Sequence, residues 1–312
     1  MTYEELSGLL KYYHKESNLF MPNEIFNDLK SHIKTKTHIA FAYSYIYFIT
    51  WLYRYAKHVN LTVTMDNKQI KEILGYKATN QTLDYLIKRR GLLDKNEYTE
   101  TTRDYPINWD YSSSEDELSF MMFSSLNDNE SQYIKTFDKR FFLKKPITAF
   151  NRIVKEAEEE IEVEGTFFDV SNTHNIPFEV FLFCMSNEKI GVTGFYLYSY
   201  LKHKNDLFEG GYDVSLTHLA EETGISLRSL NTYLGYLRRY KLVDCIHNME
   251  FYVIDMPKED RKANTYITRD FYLFSDEAIP YRKIGVKSLD DYNKHIEERD
   301  SLVQRVENEM PF

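Results

Sequence analysis

Residues 215–244 read SLTHLAEETGISLRSLNTYLGYLRRYKLVD, and the order of residue types sets out two helices joined by a tight turn. Ser215 has the short oxygen-bearing side chain that caps a helix N-terminus, a helix over residues 216–223 follows, and Gly224 supplies the left-handed residue that closes it. After the turn Gly224-Ile225-Ser226, the apolar positions Leu227, Leu230, Leu234 and Leu237 keep three-to-four spacing and turn inward as one stripe. The outward face is then Arg228, Asn231, Thr232, Gly235 and Arg239. Further on, residues 249–254 read as a strand, 257–261 as a turn and 264–267 as the returning strand, so a hairpin is expected after the second helix.

The same order of features occurs earlier in the chain. Met21-Pro22-Asn23-Glu24-Ile25-Phe26 returns as Ile176-Pro177-Phe178-Glu179-Val180-Phe181, and Leu52-Tyr53-Arg54-Tyr55-Ala56-Lys57-His58 returns as Leu197-Tyr198-Ser199-Tyr200-Leu201-Lys202-His203, identical at five of seven positions. Residues 69–75 then match 218–224, 88–94 match 238–244, and Thr102-Arg103-Asp104-Tyr105 matches Thr268-Arg269-Asp270-Phe271. Matches that keep their order over this length describe a duplication, which fixes architecture before any single element is assigned. Each copy predicts a proline in a first helical turn and a long aromatic helix ending at Lys57-His58 or Lys202-His203. For the first copy the pattern predicts helices over 68–74 and 79–90, the latter with Leu83, Leu86 and Ile87 inward. A longer wing follows, with strands at 97–100 and 118–123 around the acidic stretch Ser112-Ser113-Ser114-Glu115-Asp116-Glu117.

The segment Leu219-Ala220-Glu221-Glu222-Thr223-Gly224-Ile225-Ser226, with Arg228-Ser229-Leu230 and Tyr240-Lys241-Leu242-Val243 after it, resembles the DNA-reading core of the winged helix-turn-helix superfamily. The resemblance covers about residues 19–125 and 174–274. Tandem winged helices of this layout are similar to replication initiators of low-copy plasmids and some phages, and single ones to the primosomal DnaD-type N-terminal domain and to many repressors. The expected fold is mainly α with small β wings, two tandem winged-helix domains joined by a helical linker, plus a C-terminal helix. In residue numbers this gives an N-terminal helix (1–18), domain 1 (19–143), an acidic helical linker (144–166), domain 2 (167–286) and a heptad-like helix (287–312). Leu289, Tyr292, Ile296, Val303, Val306 and Met310 alternate steps of three and four with Arg299 between them, a spacing that suits either a homodimer through 287–310 or an intramolecular brace.

The candidate faces follow from charge. From Ser226 to Val243 there are four cations, Arg228, Arg238, Arg239 and Lys241, and no acid, inside a chain of net charge −9. Arginine forks onto guanine and asparagine onto adenine in the major groove, while serine and threonine bind phosphates, so Ser226, Arg228, Ser229, Asn231, Thr232 and Arg239 are the candidate contacts. Lys258, Arg261 and Lys262 on the wing turn would hold backbone or minor groove. In the first copy the weaker candidates are Thr79, Asn80, Gln81, Lys88 and Arg89, with Asp84 on the same helix opposing them.

Enzyme signatures are missing. The 312 residues contain no phosphate-cradling glycine motif and no H-x-H pair, and the nine histidines are scattered, so no enzyme activity, cofactor or metal is expected. Cys184 lies in an apolar run and reads as core, and two cysteines make no disulfide framework, which suits a reducing cytoplasm. Met1-Thr2-Tyr3-Glu4-Glu5 lacks the order of a signal peptide, and the apolar run at 39–52 is shorter than the roughly 20 residues a bilayer requires, so no membrane is expected. The expected function is non-catalytic binding of double-stranded DNA, as a plasmid or phage-type replication initiator or a transcription regulator with replication or transcription proteins as partners. The alternative is a protein-interaction scaffold, which the acidic charge favours.

Overall fold

The computed structural model describes residues 1–112, 117–132, 134, 141–156 and 159–309. The chain begins with α1 (Tyr3–Leu9), closed by a capping box between Thr2 and Glu5, then β1 (Phe20–Pro22), α2 (Ile25–His32) and the aromatic helix α3 (Ile39–Arg54). Short helices follow: α4 (Lys57–Asn60), α5 (Asn67–Ile73), α6 (Asp84–Ile87) and α7 (Leu92–Lys95). They lead to β2 (Thr99–Thr102) and a hairpin of β3 (Pro106–Ser112) with β4 (Glu117–Met122). After α8 (Asp128–Ser131), β5 (Leu143–Pro146) returns to pair with β2, and β6 (Asn151–Glu156) and β7 (Glu159–Glu164) form another hairpin. The second half opens with β8 (Thr173–Asn175), α9 (Phe178–Ser186), α10 (Gly191–Leu207), β9 (Tyr212–Val214), α11 (Leu216–Thr223) and α12 (Leu227–Arg239). It continues through β10 (Val243–Ile246), β11 (Phe251–Val253), β12 (Asn264–Thr268) and β13 (Gly285–Lys287) to α13 (Leu289–Glu309).

A helix apolar all round has no face to give to water and belongs at a centre. α3 is buried from Ile39 to Tyr53 and packs on α10. Tyr47 meets Phe195 edge-on at 4.9 Å, Phe48 stacks on Phe181 at 5.2 Å, and Trp51 lies flat on Phe178 at 3.8 Å. Such ring pairs add about 0.5–1.5 kcal/mol each beyond the area they bury. The buried tyrosines also need partners for their hydroxyls, and they find them far away in sequence. Tyr47 donates to the carbonyl of Ile176, Tyr196 to that of Thr223 and Tyr198 to that of Arg269, at 2.8, 3.1 and 2.8 Å. These three tyrosines are therefore core material with a polar handle at the buried end.

The two halves share this core, since one continuous cluster of buried side chains takes in α2, α3, α5 and α6 as well as α9 to α12. They also share a sheet. β1 pairs antiparallel with β8, and Phe20 lies opposite Asn175, its own equivalent in the repeat alignment. Among the described residues no helix is long and apolar enough to cross a membrane.

Several expectations are corrected. The chain is not two tandem winged-helix domains joined by a helical linker. Among the described residues of 144–166 there is no helical linker: β5 ends at Pro146, and the hairpin of β6 and β7 occupies most of the rest. In the first half the helix expected over 79–90 is one turn, α6, and its expected wing does not form, because β2 pairs with β5 while β3 and β4 make a sheet of their own. In the second half residues 251–253 do not pair with 264–268. β10 takes that place in the three-stranded sheet β10-β12-β9, and β11 pairs in parallel with β13. Pro22 ends a strand and Pro177 precedes α9, so neither lies in a first helical turn. α3 stops at Arg54, and Ala56 at φ +47° turns the chain so that Lys57 and His58 open α4. Residues 113–116 of the acidic stretch, 157–158 of the expected acidic linker and Met310 lie outside the described residues.

Candidate nucleic-acid interface

The turn between α11 and α12 is built by short-range bonds. The Ser215 hydroxyl accepts from the His218 amide at 3.2 Å, Gly224 closes α11 at φ +70°, and the Ser226 hydroxyl accepts from the Ser229 amide at 3.2 Å to open α12. Leu230, Leu234 and Leu237 are buried beneath α12. Leu227, expected inward, is 51% exposed, because it stands on the first turn beyond the reach of the core.

The outward face of α12 carries Arg228, Asn231, Thr232 and Arg239, all exposed. To other described residues, the side chains of Arg228, Asn231 and Arg239 make no hydrogen bond or ion pair; the donors that would fork onto a base edge are unspent. The hydroxyls are spent locally: Ser226 donates to Ser229 at 2.9 Å and Thr232 to the Arg228 carbonyl at 3.0 Å. An open groove of about 420 Å³ runs beside this face, lined by Glu188, Lys189, Arg228, Ser229, Thr232, Tyr233 and Tyr236. Lys258, Arg261 and Lys262 are exposed on the long connection between β10 and β12, where Glu259 and Asp260 offset two of the three charges. Arg261 is held to its own loop by a bond from Nε to the Met256 carbonyl at 2.8 Å.

The first-half candidates are placed differently. Lys71 is buried, ion-paired with Asp84, and donates to the Asn80 carbonyl at 2.6 Å. Asp84, expected to oppose the face, is thus turned to an internal partner. The Asn80 carboxamide oxygen accepts from the Thr82 amide at 2.9 Å and the Thr82 hydroxyl at 2.7 Å, a local turn that spends its acceptor. Arg89 lies over the Phe142 ring at 5.1 Å, and the Lys88 carbonyl accepts from Lys144 at 3.2 Å. Thr79 and Gln81 remain exposed on the connecting loop. Beside them Tyr76, its hydroxyl pKa raised by burial and then by nearby Tyr233, meets the Phe41 ring of α3 edge-on at 5.2 Å.

The chemistry of the remaining groups is quiet. Cys184 is wholly buried and burial pushes its thiol well up, which makes it an inert core residue. Among the described residues no group of His, Cys, Asp and Glu is placed to hold a metal ion. Sequence inspection passed over Lys189, Tyr281, Arg282 and Lys283. The signal for the last three was the cation pair Arg282-Lys283 directly after Pro280-Tyr281, which has no helical or strand period to mark it. The chain matches no protein-family model, no curated protein and no solved structure.

Proposed function

We propose that this protein binds double-stranded DNA without catalysing a reaction, through the helix-turn-helix of α11 and α12, with α12 as the reading helix. The observation that carries this is the one-signed face of α12: Arg228 and Arg239 exposed, Asn231 between them, and no carboxylate on the helix, in a chain of net charge −9. A helix of this kind, bounded by a turn on one side and a sheet on the other, fits a major groove about 12 Å wide. The biological role that fits is a replication initiator or a transcription regulator in the cytoplasm, since both require only a bound site and a recruited protein. Selection of bound duplexes from a random pool tests the reading. An enriched sequence whose binding weakens by about 0.9 log units per neutralised phosphate for each log unit of salt supports it. No retention of any duplex at low salt overturns it.

A second reading, a protein-interaction scaffold with α13 joining two copies, draws on Leu302, Val303 and Val306, which are each about half exposed along that helix. Sedimentation of the full chain and of a chain truncated before Lys287 separates a dimer seam from an intramolecular brace.

A further inference from the structure

After β12 the chain is free to leave the second half, yet it folds back along α12. The Ser275 amide donates to the Tyr240 carbonyl and the Ile279 amide to the Arg239 carbonyl, both at 2.9 Å, which satisfies acceptors that a helix C-terminus leaves open. Pro280 then stiffens the chain, and the next residue is seated on the helix itself. The Arg238 guanidinium lies 3.9 Å from the centre of the Tyr281 ring, and a Cβ on Gly235 would come within 3.3 Å of the Tyr281 hydroxyl. Gly235 thus leaves the space on α12 that the tyrosine fills. Beyond Tyr281, residues 285–287 pair in parallel with β11, so the segment bridges the end of α12 and the connection between β10 and β12. Residues 278–287 carry three cations, Arg282, Lys283 and Lys287, and no carboxylate, whereas Asp276 and Glu277 stand before them at the start of the segment; Arg282 and Lys283 are exposed.

We propose that this strap, residues 275–284, is a second nucleic-acid arm, seated on α12 through Tyr281 and presenting Arg282 and Lys283 to the phosphodiester backbone of the duplex. The inference rests on the DNA-binding reading given above. Two cations that follow directly from a ring pinned to the reading helix lie beside whatever duplex that helix enters. Phosphate contacts of this kind add affinity and register but no base preference.

The test uses the full chain and a mixed-sequence duplex of about three turns, roughly 30 base pairs. In the double variant Arg282→Ala/Lys283→Ala, the plot of log affinity against log salt becomes shallower by about 1.8, the loss of two phosphate contacts. Affinity falls several-fold at low salt, and the ranking of selected sequences stays the same. Tyr281→Ala, which unseats the strap, weakens binding similarly, whereas Tyr281→Phe keeps the ring on Arg238 and binds as the wild type does. An unchanged salt slope in the double variant overturns the proposal, as does tighter binding by Tyr281→Ala, which would mean that the strap masks α12. Both arms leave base selection by Arg228 and Asn231 intact, so the arm can fail while the reading of α12 stands. Absence of any wild-type binding overturns both.

Discussion

The two halves carry related sequences and use them in opposite ways. In the first half the polar side chains around the α5–α6 connection bond to one another: Lys71 to Asp84 and the Asn80 carbonyl, Asn80 to Thr82, Arg89 to the Phe142 ring. In the second half α12 runs for thirteen residues and keeps Arg228, Asn231 and Arg239 outward. The aligned lysines show the same contrast. Lys57 is buried and bonded to Glu16 at 2.6 Å, whereas Lys202 is half-buried and paired with Asp206 on its own helix. In the first half these charges hold the fold together, and in the second those on the outer face of α12 stay exposed. Removing a charge should therefore cost stability in one half and binding in the other.

The largest effect is expected at Lys144. Its ammonium group is buried, bonded to Asp94 at 2.5 Å and to the Thr101 hydroxyl at 2.9 Å, and this pairing holds the Asp94 carboxyl below its ordinary value despite its burial. Lys144→Met leaves that carboxylate without its cation, and breaking such a buried pair costs about 3–5 kcal/mol. Urea unfolding should show this loss while duplex binding by the surviving folded protein is unchanged. Equal loss of binding would mean that the first half touches DNA after all.

The complementary experiment is Arg228→Ala. Its exposure predicts little change in unfolding, while discrimination at one base pair drops by about 1–3 kcal/mol, as for a lost bidentate contact. Arg239→Ala should weaken binding to all sequences alike. Asn80→Ala, read in the same selection assay, should leave sequence preference untouched and lower the melting temperature slightly through loss of its local turn.

The extent to which these contrasts were legible follows from the range of the signals. Residues 215–239 were readable because caps, a closing glycine and three-to-four spacing all act within one or two turns. The second helix of the first half was misread because the Asn80–Thr82 bonds compete with helix over 79–83, a local effect that apolar spacing at Leu83, Leu86 and Ile87 conceals. The linker expected as helix forms strands, and Glu160-Ile161-Glu162-Val163-Glu164 shows why, since it alternates strictly with a strand period that the three-to-four spacing of Ile147, Phe150, Ile153, Val154, Ala157 and Ile161 conceals. The role of the tyrosines was beyond local reading altogether, since Tyr47 and the Ile176 carbonyl are 129 residues apart. The strap on α12 was illegible for the same reason, its contacts depending on where α12 ends and not on any period of its own.

A smaller effect concerns the seam between the halves. His203 stacks on Phe26 at 5.4 Å and faces His174 at 5.8 Å and Tyr200 at 6.2 Å, with Lys204, Asp206 and Glu222 as the neighbouring charges. Burial, and then Lys204, lower its pKa to about 4, and burial holds His174 well below its ordinary value. The folded chain thus favours neutral imidazoles while the unfolded chain protonates near pH 6.5. Stability is full above that pH and falls as the pH drops from about 6.5 towards 4, by at most about 1.4 kcal/mol per pH unit for each histidine. Melting curves across this window should slope accordingly, and His203→Gln should flatten the slope in part, leaving the share due to His174. An identical slope in the variant would place the acid sensitivity elsewhere.

The smallest effect compares the two glycines that end α5 and α11. Gly75 sits at φ +81° with nothing within 4 Å of a Cβ, whereas at Gly224, φ +70°, a Cβ would lie 3.0 Å from the Cδ1 of Ile39 at the start of α3. Left-handed backbone penalises alanine by about 1–2 kcal/mol at either site. Gly224→Ala should exceed Gly75→Ala by a fraction of a kilocalorie, because Ile39 is buried and has little room to yield. Ile39→Val deletes the offending Cδ1, at its own cost of about 0.5–1.5 kcal/mol. Combined with Gly224→Ala it should therefore destabilise by less than the sum of the two single changes, a coupling that a double-mutant cycle reads directly. Strict additivity would show that the turn ahead of α12 is not braced by the first half. A measured coupling would mean that the half that keeps its charges inward still sets the stiffness of the turn that positions α12.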